Sequence, residues 1–179
     1  MNIIPDGARA SSIMEVPEEL RARTQWVAWS YEQRDGPKPT KVLRIPAGRH
    51  LGRPASSTNP TTWRSYEQAL AALACHMIEG IGYVFAADDP YAGVDLDECT
   101  LPGGTLHPAA AVIVRELGSY AERSPSGKGA HVIVKASLPG GRGRRTSATA
   151  WGGDLEVYDR GRYFTVTGDH LEGSPASRP

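Results

Sequence analysis

Apolar and polar residues alternate along several short stretches of the chain, a pattern typical of β-strands with one buried face. The pattern predicts strands over residues 25–31, 40–45, 81–87, 92–97, 131–135, 154–158 and 162–168. Turns rich in Gly, Pro and Asp separate them, namely GPKP, DDPY and DRG. The GPKP turn predicts that the first two strands pair as a hairpin.

Helix signals occur at three places. Pro17 precedes EELRAR and predicts a short helix with acidic residues near its start. Asn59 followed by Pro60 is a good start for a helix that continues to about Met77. A third helix is predicted from Pro108, with an apolar face formed by Val112, Ile113 and Leu117. Because strands and helices do not alternate strictly, the fold class is predicted to be α+β, or mixed α/β.

Three segments differ in character. We expect a loose N-terminal arm and a short helix over residues 1–24, and one folded domain over residues 25–170. Residues 171–179 are rich in Ser and Pro, like a linker that leads to a further domain. The chain has 179 residues, which is enough for one domain with a sizeable core.

Composition narrows the function classes. The formal net charge is zero, which argues against wrapping DNA by charge alone, although residues 128–145 form a local basic stretch. The two Cys residues lack Cys-x-x-Cys spacing, and so give no zinc signature. The N-terminus does not read as a signal peptide, and no apolar run is long enough to span a bilayer. We therefore expect a soluble, cytoplasmic protein.

Acidic residues recur at alternate positions in two predicted strands. Asp95 and Asp97 are two residues apart, so both side chains point to one face of a strand. Two like charges on one face repel unless a cation lies between them, and hard cations such as Mg²⁺ or Mn²⁺ prefer carboxylate oxygens. Asp154 and Glu156 share the polar face of another strand. The alternative in both cases is a plain solvated strand surface.

A Gly-rich segment, SPSGKGAH over residues 124–131, precedes the strand at 131–135. Its glycines allow backbone N–H groups to approach an anion, which suggests a cradle for a triphosphate. The alternatives are a simple hairpin turn with a surface Lys128 and a structural hydrogen bond for His131. Arg162 begins the last strand and could reach either an anion or Glu156.

Taken in order, several motifs resemble the primase-polymerase domains of bacteriophages and mobile elements, members of the archaeo-eukaryotic primase superfamily. The motifs are QWVAW, TKV, ASSTNPTTW, GIGYVF, GVDLD, SPSGKGAHVIVK and LEVYDRGRYFTVTG. The resemblance implies a catalytic core with an RRM-like sheet and a flanking α/β module. It also implies template-directed nucleotidyl transfer from a dNTP or NTP to a 3′-hydroxyl, by a two-metal mechanism with Mg²⁺ or Mn²⁺.

The resemblance also implies roles for single residues. The catalytic, metal-binding acids would be Asp95, Asp97 and Glu156. The nucleotide would contact Ser126, Gly127, Lys128, Gly129, His131, Arg162 and Lys41. Basic loops would contact DNA through Arg49, Arg53, Arg142, Arg144 and Arg145.

The expected partners are a DNA template and primer, a dNTP or NTP, and a helicase or helical priming domain in the full-length phage replication protein. We expect the chain to extend a primer and to start new chains poorly without help. Two other functions remain open from the sequence. One is a metal-dependent nuclease or relaxase, and the other is an inactive module that binds single-stranded DNA.

Overall fold

The computed structural model describes residues 16–33, 36, 39–75, 78–176 and 179. The described strands are β1 (Trp26–Glu32), β2 (Thr40–Arg44), β3 (Gly80–Phe85), β4 (Tyr91–Leu96), β5 (Tyr120–Arg123), β6 (Ala130–Lys135), β7 (Arg144–Thr146), β8 (Leu155–Tyr158) and β9 (Arg162–Val166). The described helices are α1 (Glu18–Arg21), α2 (Tyr66–Ala74) and α3 (Pro108–Leu117). The α+β class is confirmed, and none of these helices is long and apolar enough to cross a membrane. The predicted arm before residue 16 lies outside the described residues.

The strands form two antiparallel sheets. The first has the order β2-β1-β3-β9 and the second has the order β5-β6-β4-β8-β7. The predicted hairpin is confirmed, because β1 and β2 pair from Ala28 opposite Arg44 to Glu32 opposite Thr40. The turn at residues 86–90 does not form a second hairpin: β3 lies in the first sheet and β4 in the second. The chain therefore passes from one sheet to the other at this turn.

Apolar side chains pack both between the two sheets and on the outer face of the second sheet. The largest cluster joins α2 and the first sheet to Tyr91 and Ile133 of the second sheet. A second cluster contains Val94 and Leu96 of β4 and Val114 of α3. Thus α3 covers one face of the second sheet, and Val94 and Leu96 lie in the core beneath it.

Gly93 of β4 lies where two aromatic rings of the first sheet approach the second. A Cβ atom at this position would be 2.4 Å from the ring of Phe164 and 2.6 Å from the ring of Phe85. Those two rings meet edge to face, with their centroids 5.0 Å apart. Only a residue without a side chain leaves room for this contact.

The helix predicted from Asn59 to Met77 is wrong in its first part. Asn59 caps only a 3₁₀ turn at Pro60–Thr62, after which the backbone of Trp63 is extended. Arg64 then forms a β-bridge with Trp26. The helix α2 starts afresh after Ser65, whose side chain forms a capping box with Gln68. The bridge to β1 and the second cap override the continuous helical pattern, and Met77 lies outside the described residues.

Two further details differ from the predictions. On α3, Val112 is 44% exposed, whereas Ala110 and Val114 are the buried residues. These two are four positions apart and so share the face that meets the sheet. The stretch predicted as a basic loop after β6 contains the edge strand β7, which pairs with β8.

Candidate active site

Five ionisable residues form one row across the second sheet. Each lies directly opposite the next on the neighbouring strand, in the order Glu122, His131, Asp95, Glu156 and Arg145. Val94 and Val132, which alternate with them, pack toward α3. Because successive side chains point to opposite faces of a strand, the row faces away from α3.

A cavity of about 300 Å³ lies between this face and the first sheet. Its lining comprises Lys41, Leu43, Ser57, Asp95, His131, Glu156, Tyr158, Arg162, Tyr163, Phe164 and Thr165. Five residues singled out in the sequence therefore share one cavity: Lys41, Asp95, His131, Glu156 and Arg162. Two acids and three basic residues around one space can bind a cation and an anion side by side.

His131 is buried in the wall of this cavity, with 7% of its surface exposed. Its ring stacks on Phe164 with centroids 4.7 Å apart, and Nδ1 lies 3.1 Å from the carbonyl oxygen of Thr165. Nε2 lies 3.7 Å from Asp95. Burial alone would lower the pKa of His131, but Glu122 and Asp95 outweigh burial and raise this pKa.

Asp95 lies between charges of both signs. Burial raises the pKa of its carboxyl group, and the nearby charges of Asp97 and Glu156 raise it further, against the opposing effects of His131 and Lys41. Burial also lowers the pKa of Lys41, partly offset by Asp95. The ammonium group of Lys41 lies 5.0 Å from the centroid of the Trp29 ring. The acid and the lysine are thus both held in an environment that disfavours their charged forms.

Glu156 faces Asp95 across the β4–β8 pair. Its carboxylate accepts a hydrogen bond from the hydroxyl group of Tyr158 and lies 3.2 Å from Nε of Arg145. The guanidinium group of Arg162 lies 4.9 Å from the ring centroid of Tyr158. Arg162 is therefore stacked over Tyr158 at the cavity wall.

Asp97 and residues 124–130 of the Gly-rich segment do not line the cavity, whereas His131 at the end of the segment does. Asp97 lies in the turn after β4, where its Oδ1 accepts a hydrogen bond from the backbone of Glu98. In the segment, the N–H groups of Gly127, Lys128 and Gly129 donate to Ser124 O, Ser126 Oγ and Ser124 Oγ, at 2.8, 3.2 and 3.1 Å. The amides predicted to cradle a phosphate are thus engaged within the loop in this structure.

The five arginines expected to contact DNA are all exposed. Arg49 and Arg53 lie in the loop after β2, and Arg142 precedes β7. Arg144 and Arg145 are neighbours on β7, but only Arg145 contacts acids: its Nη2 lies 2.5 Å from Asp154. Together with the contact to Glu156, this engages Arg145 inside the charged row.

The donor set suits a hard cation. Among the described residues, no group of three or more His, Cys, Asp and Glu side chains is arranged to hold a metal ion. Asp95 and Glu156 nevertheless provide two opposed carboxylates beside basic side chains. Mg²⁺ is commonly bound by one or two carboxylates together with substrate phosphates, so the pair fits such an ion.

Sequence reasoning missed several residues of the site. Glu122, with 1% of its surface exposed, contacts His131 from the side opposite Asp95. Ser57 and Tyr158 also line the cavity. Glu122 follows Tyr120 at the alternate position of a short strand, and this alternation is the one signal that could have marked it. A larger cavity of about 680 Å³, lined by Arg23, Gln25 and Trp63 among others, shares Ser57 with the first.

Comparison with known proteins agrees with the motifs. Over 164 residues, which is 90% of this chain, the sequence is 37% identical to the DNA primase-polymerase of Nitratiruptor phage NrS-1. The chain spans 22% of the length of that relative. No protein-family model matches the chain. The resemblance predicted from the motifs is confirmed: over nearly its whole length, this chain is similar to part of a phage DNA primase-polymerase.

Proposed function

We propose that this chain is a catalytic core that adds nucleotides to a primer 3′-hydroxyl on a DNA template. The observation that carries the proposal is the convergence of Asp95, Glu156, His131, Lys41 and Arg162 on one cavity. Nucleotidyl transfer needs acidic side chains to bind divalent cations and basic side chains to bind a triphosphate in the same place. The similarity to a phage DNA primase-polymerase supports the same activity.

Asp95 and Glu156 would hold Mg²⁺ or Mn²⁺, with Asp97 contributing from the turn that follows β4. When bound, two such ions lower the pKa of the attacking hydroxyl group and stabilise the charge on the α-phosphate. Burial raises the pKa of Asp95, and the charges of Asp97 and Glu156 raise it further; a cation bound between these acids would favour their charged forms. The aspartate and the glutamate are held by adjacent strands, so their relative position is fixed by the sheet.

Lys41, His131 and Arg162 would bind and orient the triphosphate. Arg162 offers a planar fork of donors, and Lys41 a compact positive charge. His131 is held by the stack on Phe164 and by the carbonyl group of Thr165, so its ring is already ordered. Orienting groups that need no rearrangement lower the cost of reaching the transition state.

Residues outside the cavity would contact the nucleotide from the Gly-rich loop and the template and primer from the basic loops. Ser126, Gly127, Lys128 and Gly129 would contact the nucleotide only if their loop opens, since the last three amides now donate within it. Arg49, Arg53, Arg142 and Arg144 would contact the phosphates of template and primer. A helicase or helical priming domain would be a further partner in phage DNA replication in the host cytoplasm.

The test is primer extension with Mg²⁺ or Mn²⁺. Asp95→Asn and Glu156→Gln should each reduce incorporation by roughly 100-fold or more, because removing one preorganised electrostatic group costs about 10²–10³ in rate. Glu116→Gln is the matched control, since Glu116 lies exposed on α3. Extension by Asp95→Asn at the rate of the control would contradict the proposal.

The same reactions can distinguish the rival functions. A nuclease or relaxase would shorten the labelled primer, and a binding module would retain DNA without changing its length. A reaction with template and nucleotides but no primer tests unaided priming, which we expect to be weak. Short products formed there as fast as primer extension would show that the core starts chains by itself.

A further inference from the structure

Glu122 is a buried carboxylate that no catalytic step above requires. Its surface is 1% exposed. The backbone N–H groups of Thr167 and Gly168, each at 3.0 Å, and the hydroxyl group of Tyr120 at 2.8 Å, donate to its oxygens. A buried charge is costly unless it is hydrogen-bonded, and these three donors meet that requirement.

The same carboxylate contacts His131. The two residues are opposite each other on β5 and β6, and Oε1 of Glu122 lies 3.8 Å from Nδ1 of His131. Nδ1 also lies 3.1 Å from the carbonyl oxygen of Thr165. Both oxygens can only accept a hydrogen bond, so the nitrogen between them must carry the hydrogen. The opposite ring atom, Nε2, then lies toward Asp95 and the cavity.

Glu122 also joins the two walls of the cavity. It belongs to β5 in the second sheet, whereas Thr167 and Gly168 directly follow β9 of the first sheet. Phe164 and Thr165 of β9, which contact the His131 ring, lie only two to four residues earlier. The carboxylate of Glu122 therefore contacts the His131 ring and also binds the backbone that follows Phe164, on which this ring stacks.

We infer that Glu122 is a positioning residue, which fixes the ring of His131 so that its Nε2 edge faces the nucleotide. That the cavity facing Nε2 binds a nucleotide rests on the function proposed above. The orientation of the ring does not, and it can be measured without a substrate. A glutamine oxygen at the position of Oε2 would remain within reach of all three donors, Thr167, Gly168 and Tyr120. The NH₂ group of glutamine, however, is a donor and would oppose a hydrogen on Nδ1.

The first experiment is NMR of the protein labelled with ¹⁵N in histidine. In the wild type, the ring nitrogen Nδ1 of His131 should show the shift of a protonated nitrogen. In Glu122→Gln this signal should shift, because the NH₂ group of glutamine would repel the ring N–H and disturb its hydrogen bond to the carbonyl oxygen of Thr165. A wild-type ring without hydrogen on Nδ1, or an identical ring in both proteins, would overturn the inference. Should Glu122→Gln not fold, the wild-type spectrum and Glu122→Asp, which keeps the charge, decide the question.

The second experiment separates positioning from stability. Glu122→Gln should raise KM for dNTP about tenfold, which corresponds to about 1.4 kcal/mol, with little change in kcat or in DNA affinity. In a His131→Ala background it should have no further effect, because it acts through His131. Asp89→Asn is the matched control: its side chain is 0% exposed and accepts hydrogen bonds from Gln25 and Tyr83.

The control replaces another buried, hydrogen-bonded carboxylate by its amide and should leave KM unchanged. A rise in KM of equal size for Asp89→Asn, or an undiminished effect of Glu122→Gln without the histidine, would show a general structural role and refute positioning. If the wild type incorporates no nucleotide at all, the proposed function fails, and the NMR result alone still tests the orientation of the ring.

Discussion

Replacing Gly93 by alanine should loosen the contact between the two sheets. The added methyl group would lie 2.4 Å from Cε2 of Phe164 and 2.6 Å from Cζ of Phe85, far inside normal contact distance. Both rings are buried, at 5% and 0% exposure, so neither can swing into solvent. Gly93 does not have a positive φ, so alanine is compatible with the backbone and the clash is the main effect.

The magnitude follows from two opposing contributions. An extra methyl group in a packed core costs about 1–3 kcal/mol. Alanine recovers about 0.5–1 kcal/mol, because glycine loses more conformational freedom on folding. From the middle of each range, the expected net loss is about 1 kcal/mol, which for a chain of this size lowers Tm by about 2–4 °C. Since Phe164 stacks on His131, we also expect KM for dNTP to rise.

Thermal unfolding and primer extension measure both effects. Gly36→Ala is the matched control, because a Cβ atom there meets no atom within 4 Å. Phe164→Leu combined with Gly93→Ala should be less destabilised than the sum of the single changes, since the smaller side chain relieves the clash. A Gly93→Ala protein as stable as the Gly36→Ala protein would refute the account of the sheet contact.

Two further predictions concern charge. Asp95→Asn should raise the free energy of unfolding at pH 7 by about 0.5–2 kcal/mol. A carboxyl group whose pKa is raised in the folded state contributes to stability below its unfolded pKa, and this contribution is lost as pH rises through its folded pKa. Urea unfolding at pH 7 and near pH 3.5 should show this gain shrinking in acid, and a loss of stability at pH 7 would contradict it. Arg145→Met should tighten Mn²⁺ binding only about two- to fivefold, since an exposed ion pair with Glu156 is weak. Arg144→Met removes the same charge from the same strand, so an equal effect in a Mn²⁺ titration followed by electron paramagnetic resonance would show that long-range charge alone is responsible.

Alternation along β4, β6 and β8 was enough to place Asp95 and Glu156 on polar faces, and turn signals located most strands. The alignment of these acids with His131 could not be predicted, because pairing partners and register depend on contacts distant in sequence. The helix from Asn59 failed for a related reason. The bridge between Arg64 and Trp26 depends on tertiary structure, so the local sequence that signals a helix does not indicate it.

Local chemistry was also ambiguous for the glycine-rich segment and for Arg145. Loop composition favours backbone N–H groups that can reach an anion, but composition does not reveal that Ser124 and Ser126 already accept from them. Likewise, a basic residue in a basic stretch suggests contact with DNA. The position of Arg145 beside Glu156 depends on the edge strand β7, which the sequence pattern did not indicate.

The row of charged residues across five strands makes the alignment of the sheet part of the chemistry. An insertion of one residue inside β4 or β8 would turn Asp95 or Glu156 toward α3, where the apolar cluster offers an acid no partner. Insertions in the connection between β4 and α3, by contrast, leave the row intact. Descendants of this gene should therefore vary in the length of their loops and keep the spacing within these strands, so that gaps in an alignment of relatives would outline the site without any knowledge of the reaction.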